Sequence, residues 1–158
     1  MAAAVAASGG SGLTGTLGGS LAFNSVDREV TASIEGSSRI LINGTGDLVI
    51  TASDSSQIDV DTAGAAAAIS LAGGSAKSFS VGVAFAKNDV RNEVQAFLRN
   101  ADSVDITNGS VIISAERTGK IKARTAAASL AASISGGSAL SFSGAGAIAL
   151  NSIAGGTR

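Results

Sequence analysis

"AFNSVDREVTASI" (22–34) returns 64 residues later as "AKNDVRNEVQAFL" (86–98), with Asn24 on Asn88, Val26 on Val90, Glu29 on Glu93 and Val30 on Val94. A chain that restates itself at a fixed interval has few folds open to it, because each copy must pack against the next with the same face. The match extends in both directions. "GGSG" (9–12) meets "GGSA" (73–76) and "GGSA" (136–139), "LVITAS" (48–53) meets "VIISAE" (111–116), and "ALNSI" (149–153) restates "AFNSV" (22–26). The chain reads as repeat 1 over residues 1–62, repeat 2 over 63–125 and a partial repeat 3 over 126–158, within one continuous domain.

Each repeat has two halves of different character. The first is rich in Ala, Gly and Ser, as in "AGAAAAISLAGGSAKSFSVGVAFAKN"; the second is charged and β-branched, as in "DVRNEVQAFLRNADSVDITNGSVIISAERTGKIKART". Phe79, Val81, Val83 and Phe85 alternate with Ser80, Gly82, Ala84 and Ala86, the period of a strand. One face is large, the other tiny, and neither is polar, so this strand is expected to be covered on both sides. Leu140, Phe142, Ile148 and Leu150 repeat the large face. "AAAAISLA" and "AAASLAAS" taken alone suit a helix, since Ala is the best helix former. They end in Gly-Gly-Ser, carry no capping box and sit among segments of period two, which favours strand. With 21 Gly, five Phe and no Trp or Tyr, core volume must come from small and aliphatic side chains, whose layers have to lie close together. "NGTGD" (43–47) and "TNGS" (107–110) place Asn-Gly between β-branched runs, which suits tight turns with positive φ. Proline is absent, as a continuous ladder of N–H donors requires.

The charges sharpen the repeat. Residues 1–62 carry a net −5, residues 63–125 a net +3 and residues 126–158 a net +1. "QIDVDT" (57–62) aligns with "KIKART" (120–125), so Asp59 falls on Lys122 and Asp61 on Arg124, while Ile58 meets Ile121. The same alignment sets Asp27 against Arg91, Glu35 against Arg99 and Asp54 against Arg117; only Glu29 and Glu93 match in sign. In a stack of repeats, equivalent residues are neighbours about 4.8 Å apart across a β-ladder. Like charges there repel and opposite charges pair. The pattern points to an all-β, parallel-stacked β-solenoid with about 63 residues per coil and several strands per coil. Exposed pairs contribute only about 0–1 kcal/mol each, so their main effect is on register. Drift on a solvated face is the plainer alternative.

Familiar chemistry is scarce. The chain has no Cys and no His, which removes disulfides, thiolate metal sites, and imidazole bases and ligands. No Gly-x-Ser-x-Gly elbow occurs, and "GGSAKS" (73–78) lacks the spacing of a phosphate loop. Asp54, Asp59, Asp61, Asp102 and Asp105 do not form a calcium loop. Neither an enzyme nor a cofactor is expected. "NGT" and "NGS" make Asn43 and Asn108 candidate glycosylation acceptors, although turn chemistry accounts for both. Isolated threonines do not form the regular rows of an ice-binding face. Basic residues are not interleaved with aromatic ones, so nucleic acid is not an expected partner. The run 125–157 is uncharged, but scattered Ser and Gly and alternating large residues favour buried strands over a spanning helix. "MAAAVAASGGSG" lacks the charged start and apolar core of a signal peptide, consistent with a mature chain or an excerpt of a longer one.

An Ala/Gly-rich block, then "VGVAFAKNDVRNEVQAFL" or "GAIALNSI", then a "VIISAE" strand resembles the repeats of very large bacterial extracellular adhesins: haemagglutinin-like, filamentous-adhesin and leukotoxin-like exoproteins. The resemblance implies a structural or adhesive β-solenoid fibre at the bacterial cell surface or outside the cell. Its partners would be adjacent repeats of a longer parent chain, a second copy stacked head to tail, or a host or neighbouring-cell surface. The alternatives are a carbohydrate- or receptor-binding adhesin module and a membrane-active toxin segment.

Overall fold

The computed structural model describes residues 1–36 and 39–158, and among them there is no helix. Ten strands follow one another: β1 (Ala2–Ser8), β2 (Gly12–Glu35), β3 (Ile40–Ile42), β4 (Leu48–Asp54), β5 (Gln57–Ala72), β6 (Ala76–Arg99), β7 (Val104–Ile106), β8 (Val111–Arg117), β9 (Lys120–Ser135) and β10 (Ala139–Thr157). The Ala-rich runs that could have been helix lie in β5 and β9. Four sheets form, in the orders β1-β5-β9, β10-β6-β2, β3-β7 and β4-β8. Among the described residues no strand pairs with its neighbour in sequence.

Pairing is parallel and joins each repeat to the next. Ala2 lies on Ala66 and Ser8 on Ala72, 64 residues apart. Ile40 lies on Val104, again 64 apart, but Leu48 lies on Val111 and Asp54 on Arg117, 63 apart. The missing residue is taken up in the turn, where five residues (43–47) face four (107–110). Gly44 has the expected positive φ of 97°. Gly109 does not, contrary to the sequence expectation; it is glycine because a Cβ there would overlap the carbonyl oxygen of Gly46 in the turn beneath. Gly36 (φ 66°) and Asn100 (φ 56°) follow β2 and β6 at equivalent places, both residues that tolerate the left-handed region.

Consecutive long strands face each other through side chains instead of hydrogen bonding. The Gly-Gly-Ser segments form the arches between them and stack directly, Gly73 N–H donating to Ser8 O (3.0 Å) and Gly137 N–H to Gly74 O (2.9 Å). A Cβ on Gly73 would come within 2.5 Å of the Gly9 carbonyl oxygen, which explains why this tripeptide recurs.

The chain forms two compact units, each built from three segments. Unit 1 comprises Met1–Asn24, Asp59–Asn88 and Lys122–Asn151. Its interior is made of small residues: Gly12, Thr14, Thr16, Ala66, Ala68, Ser70, Ser78, Ser80 and Ala84 are buried. Gly64 and Gly82 bring backbones into direct contact, because a Cβ on either would overlap a carbonyl oxygen of the facing sheet, that of Val83 or of Ala128. Facing sheets ordinarily lie about 10 Å apart; glycine and alanine allow less. Some of the buried hydroxyls find partners across the gap, Thr14 donating to Ile69 O (3.2 Å) and Ser78 bonded to Ser133 (2.7 Å), while Thr16 donates within its own sheet to Ser80 (3.3 Å) and the Ser70 hydroxyl has no partner among the described residues. The larger side chains point outward: Leu13, Leu17, Leu21 and Phe23 are 67–78% exposed. The expectation that the Phe79 strand is covered on both sides therefore fails, since Phe79 and Val83 are exposed and the tiny face is the buried one. The gap is too narrow for them.

Unit 2 comprises Ser25–Ile58, Asp89–Ile121 and Ser152–Arg158, and has the usual polarity. Ile50, Ala52, Val94 and Ala96 form its core, with Val30, Ile34 and Leu98 packed against them. Asp27, Glu29, Glu35, Arg91 and Arg99 are exposed. Along β2 and β6 the inward positions do not change parity, yet after Asn24 and Asn88 larger residues enter them, Val26, Val30 and Ile34 in one strand and Val90, Asn92 and Val94 in the other.

Replacing Gly82 by Val forces the sheets of unit 1 apart and should lower stability by about 2–3 kcal/mol in urea unfolding. The same change at Gly144, which has open space around it, should fall within about 0.5 kcal/mol of wild type. Equal effects would contradict the close-packed interior.

Candidate functional site

The charged positions read from the repeat have different fates. Arg99 Nη2 lies 2.9 Å from Glu35 Oε2, and Arg124 Nη1 lies 3.6 Å from Asp61 Oδ1, each pair exposed. Asp59, Asp61, Lys122 and Arg124 line one recess. No ion pair joins Asp27 and Arg91 among the described residues. Asp54 and Arg117 are register partners but not ion partners. The Arg117 side chain reaches past Asp54 and donates to Ala154 O at 2.7 Å and Asn92 O at 3.4 Å, and Asp54 turns instead to Arg28 of its own repeat, at 3.3 Å. Arg39 with Asp105 (3.0 Å) and Arg158 with Glu93 (3.8 Å) also bridge repeats, pairs that equal spacing did not reveal. Asn43 and Asn108 are exposed in stacked turns, with Asn108 N–H donating to Gly44 O (3.1 Å) and Ser110 N–H to Asp47 Oδ1 (2.7 Å). Among the described residues no group of three or more acidic, Cys or His side chains could hold a metal ion. Among the described residues there is no helix, and so none long and apolar enough to cross a membrane.

Two polar constructions stand out, one in each unit. In unit 2 the side chain of Asp54 is 1% exposed. Its carboxylate accepts from the Ser56 hydroxyl (3.0 Å to each oxygen), from Arg28 Nη1 and from Asn92 Nδ2. Asn92 also donates to Ser56 Oγ (2.9 Å), which closes the network. Burial disfavours the charge and raises the carboxyl; bonds from Ser56, Arg28, the Ser56 amide and Asn92 outweigh it, leaving the pKa below the usual aspartate range. The cluster holds a charge inside the stack by hydrogen bonding it from two adjacent repeats.

In unit 1 three asparagines form a row. Asn24 Nδ2 donates to Asn88 Oδ1 at 2.8 Å, and Asn88 Nδ2 donates to Asn151 Oδ1 at 2.9 Å. Asn88 is fully buried between its two equivalents. An amide is suited to this place because it is both donor and acceptor, so identical residues satisfy one another when stacked about 4.8 Å apart. The sequence alignment had matched these residues without assigning them a role.

A scan against protein-family models and searches of curated proteins and of solved structures found no match to this chain.

Replacing Asn88 by Ala removes both hydrogen bonds of the row and leaves space at its buried centre, and should cost about 1–3 kcal/mol in urea unfolding, whereas Asn24→Ala at the exposed end of the row should cost under about 1 kcal/mol. Because the Asp54 carboxyl is depressed when folded, its contribution is complete above the unfolded value of about 3.9 and disappears as pH falls through the folded value. Asp54→Asn should therefore flatten the acid limb of stability against pH below about pH 4, as read by urea unfolding across that range.

Proposed function

We propose that the chain is a β-solenoid segment of about 63 residues per coil, serving as the structural, surface-adhesive stalk of an extracellular or bacterial cell-surface fibre. The observation that carries this reading is the common register: strand pairs in separate sheets all join residues 63 or 64 apart. One repeat is then one coil, and coils add along the axis without a new kind of contact. The stacked arches and the asparagine row support the same arrangement, since each places a residue over its own equivalent. Its work is mechanical. Length grows with coil number, and the close-packed interior gives proteases little loose backbone. The partner along the axis is the next repeat of a longer chain or a second copy stacked head to tail, and the resemblance to adhesin repeats supports the extracellular setting. An adhesin module that recognises sugar would need exposed aromatic platforms, and with five Phe in all the sequence favours the fibre.

Electron microscopy of the purified protein should show rods or filaments, and diffraction from aligned material should give a spacing of about 4.8 Å along the axis, one strand per coil. Compact particles that do not lengthen with concentration, together with a strictly monomeric species in sedimentation, would reject head-to-tail stacking of separate copies, and absence of the spacing of about 4.8 Å along the axis would reject the fibre.

A further inference from the structure

Unit 1 turns large apolar side chains outward on both sides. On the β10-β6-β2 sheet, Leu17, Leu21, Phe79, Phe142 and Ile148 are 48–74% exposed. The charges on that face are Lys77 and Lys87, one near each end of the apolar stretch. On the β1-β5-β9 sheet, Val5, Leu130 and Ile134 are 58–68% exposed, and residues 63–72 and 126–135 contain no charge. Three strands over some eleven residues cover about 14 by 36 Å, or roughly 500 Å² in projection. That is the size of the largest apolar patch on an ordinary monomer, roughly 300–600 Å², and here there are two. A contact made by one face of each copy buries roughly 500 Å² per partner, about 1,000 Å² in total, which is the lower bound of a specific interface.

The faces also restrict what covers them. Outward side chains here are almost entirely hydrocarbon, and the backbone groups of paired strands are engaged in the sheets, so a sugar, nucleotide or polar peptide finds few hydrogen-bonding partners. Lipid is unfavourable for a different reason: β1, β2, β9 and β10 lie at sheet margins, where hydrocarbon would leave a row of N–H and C=O groups unsatisfied. The two faces suit each other. Gly15, Gly19, Gly144 and Gly146 form low ground between the Leu and Phe side chains of one, with open space beside Gly15, Gly144 and Gly146. On the other, Leu71, Leu130 and Ile134 rise from an alanine floor.

We propose that copies of this chain associate laterally, the β10-β6-β2 face of unit 1 packing on the β1-β5-β9 face of a second copy. Because the two surfaces differ, the contact is heterologous and open-ended. It runs across the stacking direction and is a separate contact from coil-on-coil growth.

The test uses the full chain in analytical sedimentation with two charged variants, Leu17→Asp with Phe142→Asp on one face and Leu130→Asp with Ile134→Asp on the other. All four positions are exposed, and far-ultraviolet circular dichroism checks that the strands remain; threonine at the same positions serves if an aspartate variant does not fold. Wild type should associate, each variant alone should do so at least about tenfold more weakly, and an equimolar mixture should form dimers, since each variant keeps the face the other has lost. Three results would overturn the proposal: a mixture that stays monomeric, a variant that associates like wild type, or a wild type that binds phosphatidylcholine vesicles but not itself. A third variant, Ala147→Lys with Ala149→Lys on the inward side of β10, separates the two modes of growth. Lateral association should survive it. If association is lost there but persists in both face variants, the lateral contact is wrong and the fibre reading stands; if only the face variants lose association, the lateral contact stands and stacking of separate chains fails.

Discussion

The structure depends on backbone hydrogen bonds between residues 63 or 64 apart. Pairing at that interval places each side chain beside its own equivalent, so every position is selected against a copy of itself. Asparagine passes this condition well, because an amide complements an amide. Glycine passes it in the arches, where any Cβ would strike the carbonyl beneath. A carboxylate passes it poorly, Glu29 over Glu93 being the one like-charged match. Acid positions of one repeat become basic in the next, as with Glu35 and Arg99, or the charge is enclosed by other groups, as with Asp54.

The second constraint is thickness. Sheets brought together on Gly, Ala, Ser and Thr exclude water with little side-chain volume, and little side-chain entropy is lost in doing so. Their large residues are then displaced to the outside, which inverts the ordinary relation between size and burial throughout unit 1. Unit 2 restores it with Ile50 and Val94 inside and most charges outside, the enclosed Asp54 being the exception. The long strands β2 and β6 carry both arrangements without a change in which positions face inward.

Much of the fold is legible in the sequence, because the repeat and the period of two are strong signals. They indicated the parallel pairing, the strand state of the alanine runs and the equivalence of Asn24, Asn88 and Asn151. Which face of the Phe79 strand is buried was not legible, since alternation of large and small shows two faces without showing which lies inside; the spacing between sheets decides that. Asp54 was read against Arg117 because equal spacing identifies register neighbours. The length of an arginine side chain lets it pass its neighbour for a carbonyl farther on, and Arg28, four residues beyond the asparagine row, supplies the charge instead.

The asparagine row also has a direction. Each amide gives its hydrogen towards the later repeat, from Asn24 to Asn88 and from Asn88 to Asn151. Aligned amide dipoles reinforce one another, as hydrogen bonds in a chain do. A repeat added in the same sense at either end continues the series, whereas a repeat laid on upside down meets donor with donor or acceptor with acceptor. The row thus works as an arrow inside the protein, giving any assembly made by stacking it a beginning and an end that differ chemically.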